Sequence, residues 1–227
     1  MLINCDIGER GVAHSVDDLL MSYVDIVNIA CGGHAGDKKS VEYYMALALK
    51  HNVKATAHLS YPDKENFGRV VLDINSDKLL DSLDEQYSLL ESVKAVKLHG
   101  ALYNKANVDA KLSKVIVEWF VKKGIKEVLT QQNSQLDIAC KRVGIEVIEE
   151  AFLDRRYIYE NDTLKLAPRS MEGAVIHNPK DAKEQLDNLK NGYVSIDTKQ
   201  YKLHAKTLCI HSDSPSAIEI LNAIKNV

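Results

Sequence analysis

The residues able to do chemistry in this chain recur at one kind of place, the end of an extended apolar run. Asp6 closes residues 2–6 and Glu9 follows it; His58 closes residues 53–58, His99 closes 95–99, and His211 with Asp213 closes 207–211. His34 stands a few residues beyond a fifth run, 26–30. One histidine at a strand end is more often a hydrogen-bonded structural residue than a catalyst. The repetition over separate strands favours a functional set. Such groups serve as general acids and bases, or hold a divalent cation that activates water. Cys209 shares a strand face with His211 by the period of two, so it is either a nucleophile beside a base or a small core residue, and the core reading is favoured.

These residues converge only if the strands run parallel, with all their carboxyl ends at one mouth. The central stretch supplies that geometry. Residues 26–30 form a buried strand, Gly32, Gly33 and Gly36 allow a tight loop around His34, and Asp37 caps a helix whose inner face is Val41, Tyr44, Met45, Ala48 and Leu49. Neither a dinucleotide fingerprint nor a phosphate loop can be read from it. The same strand–loop–helix unit repeats down the chain. Ser76 and Ser134 start later helices, while Gly124, Gly144 and Gly192 end others. Asn178-Pro179 and Ser214-Pro215 each pair an N-cap with proline at the first helical position. A hairpin is expected within residues 193–205. The expectation is an α/β fold, a single domain over residues 1–227, with seven βα-type strands and a barrel-like closure.

Bulk properties narrow the class. At 45% hydrophobic and 27% charged, the chain has the makeup of a globular domain. A formal net charge of −3 without a basic run argues against nucleic acid. No apolar run approaches the about 20 residues that span a bilayer. Four cysteines with no CxxC pair suggest reduced thiols and a cytoplasmic setting.

Several stretches together resemble the LamB/YcsF family of 5-oxoprolinase A subunits. They are Asn4-Cys5-Asp6-Ile7-Gly8-Glu9, residues 28–37, Ala57-His58 with Tyr61-Pro62-Asp63 and Phe67-Gly68-Arg69, residues 96–104, Glu150-Ala151-Phe152 with Asp154-Arg155 and Tyr157, Pro168-Arg169-Ser170, and Cys209-Ile210-His211 with Asp213. The sequence departs from the family pattern at Gly33, Leu59, Leu98, Val70 and Ser212. The resemblance implies a seven-stranded β/α barrel like that of the glycoside hydrolase/deacetylase group. It also implies ATP-dependent hydrolysis of 5-oxo-L-proline to L-glutamate in a complex with subunits B and C. With no Walker loop in the chain, ATP would be handled with those partners.

On this reading Asp6, Glu9, His58 and His99 position and deprotonate the attacking water, and His34 and His211 serve the leaving nitrogen, with Asp213 alongside. Arg155 or Arg169 grips the substrate carboxylate as a bidentate fork. The backbone at Gly32, Gly33 and Gly36 receives an oxyanion or phosphate, and Asn28, Lys97, Tyr103, Asn104 and Asp154 line the substrate. By analogy with the deacetylases, Asp6, His58 and His99 form the candidate set for a divalent metal. Two other readings remain: a metal-dependent deacetylase or amidohydrolase acting alone, and a non-catalytic scaffold within the complex.

Overall fold

The computed structural model describes residues 1–160 and 162–225. In chain order the elements are β1 (Leu2–Ile7), α1 (Ser15–Leu20), β2 (Ile26–Ala30), α2 (Lys38–His51), β3 (Lys54–Leu59), α3 (Ser76–Ser88), β4 (Ala95–Leu98) and α4 (Gly100–Val108). Then come α5 (Ala110–Lys123), β5 (Glu127–Thr130), α6 (Gln135–Arg142), β6 (Glu146–Phe152), β7 (Tyr157–Glu160) and β8 (Thr163–Leu166). The chain continues through α7 (Pro179–Lys190), β9 (Tyr193–Ile196), β10 (Lys199–Lys202), β11 (Thr207–His211) and α8 (Ala217–Lys225). Seven strands close a parallel barrel in the order β1-β11-β6-β5-β4-β3-β2, and β7-β8 and β9-β10 are separate antiparallel pairs.

Period-two alternation sorts the barrel residues onto two sides. Cys5, Ile7, Val27, Ile29, Ala57, Val96, Leu98, Val128, Val147 and Leu208 face outward into the main core, against the buried faces of the helices. Inside, Ile26, Leu129 and Ile148 form a small apolar floor. Above that floor the interior is polar. The ladder register puts Asp6 beside both Asn28 and His211, and His58 beside Lys97, so groups distant in sequence share one level. Among the described residues, no helix is long and apolar enough to cross a membrane.

Local signals hold at most boundaries. Asp37 caps α2 through a reciprocal box with Ser40, and Asn52 ends it in the left-handed conformation. Asn178 caps α7 with proline following. Some expectations are corrected. Leu49 is 70% exposed, because the buried stripe of α2 runs through Val41, Tyr44 and Ala48. Asn75, not Ser76, caps α3, its side chain accepting from the Lys78 amide. Helix α8 begins at Ala217, two residues beyond Pro215, and the pair β7–β8 and the helix α4 were not anticipated.

The turn between β2 and α2 depends on Gly36. Its φ is +80°, and an added Cβ would collide with the Ala30 carbonyl. Gly36→Ala is therefore expected to lower unfolding free energy by about 2–4 kcal/mol, measured by urea denaturation.

Candidate active site

Strand β1 delivers Asp6 and the loop beyond it delivers Glu9. That loop is braced by the Gly8 amide donating to Asp17 (3.0 Å) and by Arg10, which pairs with Asp17 and donates to the Ser212 carbonyl (2.8 Å). Three imidazoles gather around Glu9. His34 Nε2 lies 3.0 Å, His99 Nδ1 3.6 Å and His58 Nε2 3.9 Å from its Oε1. The His34 and His99 rings stack at 3.6 Å, and His58 meets both edge-on. All four residues are largely buried, and burial holds the His34 and His99 imidazoles well below their usual range, hence neutral.

Backbone carbonyls fix two of the tautomers. His58 Nδ1 lies 3.2 Å from the Lys97 carbonyl and His99 Nε2 lies 3.0 Å from the Phe67 carbonyl. A carbonyl only accepts, so both ring nitrogens must donate. The remaining nitrogens, His58 Nε2 and His99 Nδ1, then face each other at 3.0 Å with two lone pairs. That arrangement is repulsive unless a proton or a cation lies between them. Phe67 reaches its carbonyl position in the left-handed region, at φ 55°, a strained conformation for a bulky residue.

Below the imidazoles lies a buried ionic array. Lys97 Nζ approaches Asp6 Oδ1 (2.9 Å), Glu150 Oε1 (2.9 Å), Cys209 Sγ (3.1 Å) and Asn4 Oδ1 (3.2 Å). Asn28 donates to Asp6 Oδ1 and Asn4 Oδ1, each at 2.8 Å, and accepts from Thr56 at 2.6 Å. Burial alone would raise the Asp6 carboxyl, but the Lys97 ammonium beside it outweighs burial and holds Asp6 well below the usual carboxylate range, its other oxygen 3.4 Å from His58 Nε2. Glu9 has no such cation, and burial together with Asp6 pushes it up to about 7. Three carboxyl groups, Asp6, Glu9 and Glu150, thus share this interior with one ammonium, that of Lys97. Glu9, His34, His58 and His99 each offer a ligand atom within 4.8 Å of the others, a carboxylate-and-imidazole set suited to zinc or a similar ion. A second group, Asp6 with Cys209 and His211, has the Lys97 ammonium against its sulfur and carboxylate, which disfavours another cation there.

A cleft of about 840 Å³ opens above this cluster, and Asp6, His58, His99 and His211 line it with Arg69, Arg155 and Arg169. The Nδ1 and backbone amide of His211 both bond to Asp154 (2.9 Å each), leaving Nε2 as the ring nitrogen free for the cleft. Buried Arg155 donates to the Ala167 carbonyl at 2.6 Å, while its Nε has no protein partner. Asp213 accepts from Arg69 (2.6 Å) and Arg169 (3.3 Å).

The expected residues thus divide. Asp6, Glu9, His34, His58 and His99 come together, His211 stands beside Asp6 on the neighbouring strand, and Tyr103, Asn104, Arg155 and Arg169 line the cleft. Asp213 stands apart on the guanidinium side. Asp154 has both oxygens on His211, and Asn28 lies fully buried beneath Asp6, so both orient other residues instead of meeting substrate. Lys97 reaches the cleft, but its ammonium is engaged from below. Gly32, Gly33 and Gly36 lie behind His34 and do not line the cleft, and the Gly32 amide is bonded to the Ala35 carbonyl (2.7 Å), which argues against an oxyanion role. His34 is 2% exposed, too enclosed to reach a leaving group in the cleft. Cys31 and Cys209 are buried thiols with raised pKa, core residues and not nucleophiles. Arg69 and Glu150 were not singled out. Glu150 had a signal, a carboxylate two residues from Ile148 and two from Phe152 on one face of a buried strand.

The fold and site define a class: a parallel β/α barrel with a carboxylate–imidazole cluster at the carboxyl ends of its strands. Within that class the chain belongs to the LamB/YcsF family, whose pattern matches residues 1–227. Similar proteins include the 5-oxoprolinase A subunit of Bacillus cereus (strain ATCC 10987 / NRS 248), 34% identical over 98% of this chain and 92% of that one. Another is the 5-oxoprolinase A subunit of Coprothermobacter proteolyticus, 36% identical over 98% of this chain and 89% of that one. Among solved structures, the lactam utilization protein from Thermus thermophilus superposes with a TM-score of 0.83 at 28% identity, covering 100% of this chain and 96% of that one.

Glu9 generates a test. Its carboxyl binds a proton more tightly in the folded chain than in the unfolded one, so the cation-free protein should lose stability as pH rises from about 4.5 to about 7. Glu9→Gln removes that loss. In chelator at pH 8 the variant is expected to exceed the parent in unfolding free energy by an amount on the order of 3 kcal/mol, read from urea titrations at several pH values.

Proposed function

We propose that this chain is the lactam-opening component of an ATP-dependent 5-oxoprolinase, converting 5-oxo-L-proline to L-glutamate together with subunits B and C. The observation that carries the reading is the pairing, across one cleft, of an acid–imidazole cluster with a guanidinium cluster. A cyclic amide bearing a carboxylate needs both. Relatives named as A subunits of 5-oxoprolinase, and a structural neighbour named for lactam utilization, support the choice of substrate.

The residues divide the reaction as follows. Arg155, with its unpartnered Nε, and Arg169 grip the substrate carboxylate and set the ring's orientation. Glu9, His34, His58 and His99 would hold a divalent cation, and Asp6 lies beside them. Such a cation, when bound, polarises water or a carbonyl oxygen. Ionised Asp6, held in place by Lys97 and Asn28, accepts the proton of the attacking water. The water oxygen bonds to the lactam carbon, the carbon–nitrogen bond breaks, and His211 Nε2 delivers a proton to the departing nitrogen. Asp154 keeps His211 in the required tautomer and stabilises its protonated form. A lactam carbonyl is a poor electrophile, and phosphorylation of its oxygen at the expense of ATP would activate it; water addition and carbon–nitrogen cleavage then leave an acyl phosphate, whose hydrolysis releases inorganic phosphate with L-glutamate. With no Walker loop in this chain, that step falls to the partner subunits.

His99→Ala and Asp6→Asn are each expected to lower 5-oxoproline turnover by about 10²–10⁴-fold in the complex reconstituted with subunits B and C. Full turnover by folded variants overturns the assignment. ATP-independent amide cleavage by the chain alone would instead identify a free-standing amidohydrolase. Mouth-histidine variants that keep activity, with surface substitutions that abolish assembly, would mark a scaffold.

A further inference from the structure

Gln86 lies on α3, away from the cleft, and belongs to none of the groups assigned a role above. It is a polar side chain 4% exposed, packed behind the ends of β2 and β3. Its carboxamide pairs with a single residue in both directions: the Ser60 amide donates to Oε1 at 2.9 Å, and Nε2 donates to the Ser60 carbonyl at 2.9 Å. Nε2 also reaches Ser82 Oγ at 3.1 Å. The side chain thus continues the ladder where β3 runs out, satisfying two buried backbone groups that otherwise lack a partner.

Three histidines hang on that short piece of backbone. His58 is two residues before Ser60 on β3. The carbonyl of Leu59, the residue between them, accepts the His99 amide at 2.7 Å. Gly33, next to His34, packs so closely that a Cβ there would collide with the Gln86 carboxamide and with Ser60 Oγ. One carboxamide therefore bears on the backbone of each imidazole in the cluster, though it touches none of the rings.

We infer that Gln86 is a positioning residue for the imidazole cluster, latching the end of β3 through Ser60 and setting, against Gly33, the path of the loop that carries His34. The inference rests on the reading of Glu9, His34, His58 and His99 as the cation site. Partners of this indirect kind usually change metal affinity or activity by about 10–100-fold. Gln86→Glu differs by one group: its carboxylate still accepts from the Ser60 amide but cannot donate to the Ser60 carbonyl. Gln86→Leu removes both bonds at similar volume.

The experiment titrates purified wild type, Q86E, Q86L and S82A with Co²⁺, following affinity and the visible absorption bands, and measures kcat and KM for 5-oxoproline in the reconstituted complex. Both Gln86 variants are expected to bind Co²⁺ about 10–100-fold more weakly with shifted bands, and to lose kcat at nearly unchanged KM. S82A should match the wild type. G33A, which crowds both the Gln86 carboxamide and Ser60 Oγ, should also weaken Co²⁺ binding. Gln86 variants that are merely less stable, with wild-type bands, affinity and kcat, overturn the inference. A wild type that takes up no cation overturns only the metal reading. Gln86 is then judged on kcat, a loss at constant KM supporting the latch and an unchanged value ending it.

Discussion

Two imidazole nitrogens pointed at each other form the contact on which this architecture turns. His58 and His99 each give their one N–H to a backbone carbonyl, and their bare nitrogens then meet at 3.0 Å. Among the described residues, no neighbouring side chain donates into the gap to relieve that repulsion, and burial makes protonating His99 costly. The surroundings answer with negative charge: Glu9 against all three rings, Asp6 at the edge of His58. An electron-rich pocket of this kind suits a positive charge.

The barrel makes such a pocket possible. Seven parallel strands put their carboxyl ends at one rim, and the register aligns Asn28, Asp6 and His211 around it. Above the apolar floor, Asn4, Asn28, Thr56 and Lys97 form a hydrogen-bonded lattice, with Glu150 ion-paired to Lys97, in place of further aliphatic layers. A buried ion pair of this sort gives little net stability, since desolvation offsets most of the attraction. Its value here is directional. Lys97 takes one oxygen of Asp6 and leaves the other facing His58, so the carboxylate enters the site already ionised and oriented.

Much of this was legible in the sequence because strand periodicity and chemistry coincide. Asp6, His58 and His211 sit on inward positions of strands, so counting by two both predicts the strand and aims the side chain. Asp37 and Asn178 were readable for the same local reason, as N-caps follow from one residue's hydrogen-bonding habits. What the sequence hid was non-local. Whether a polar residue at the mouth faces substrate or another side chain depends on its neighbours across the barrel, which is why Asp154 and Asn28 looked like ligand contacts and are orienting groups. Leu49 misled because a helix face is defined by what packs on it, and the stripe was narrower than the apolar spacing. Gln86 carried no signal at all, since its role lies in a carboxamide matched to the backbone of a strand 26 residues away.

The central claim, that the facing nitrogens of His58 and His99 exist to share a cation with Glu9 and His34, is tested most directly by anomalous diffraction from crystals of the protein grown with a divalent transition metal. The account predicts one strong anomalous peak within coordination distance of His58 Nε2, His99 Nδ1, His34 Nε2 and a Glu9 oxygen, with Lys97 still on Asp6. A fully refined structure with no peak there, and with His58 or His99 turned so that one ring donates to the other, would contradict it.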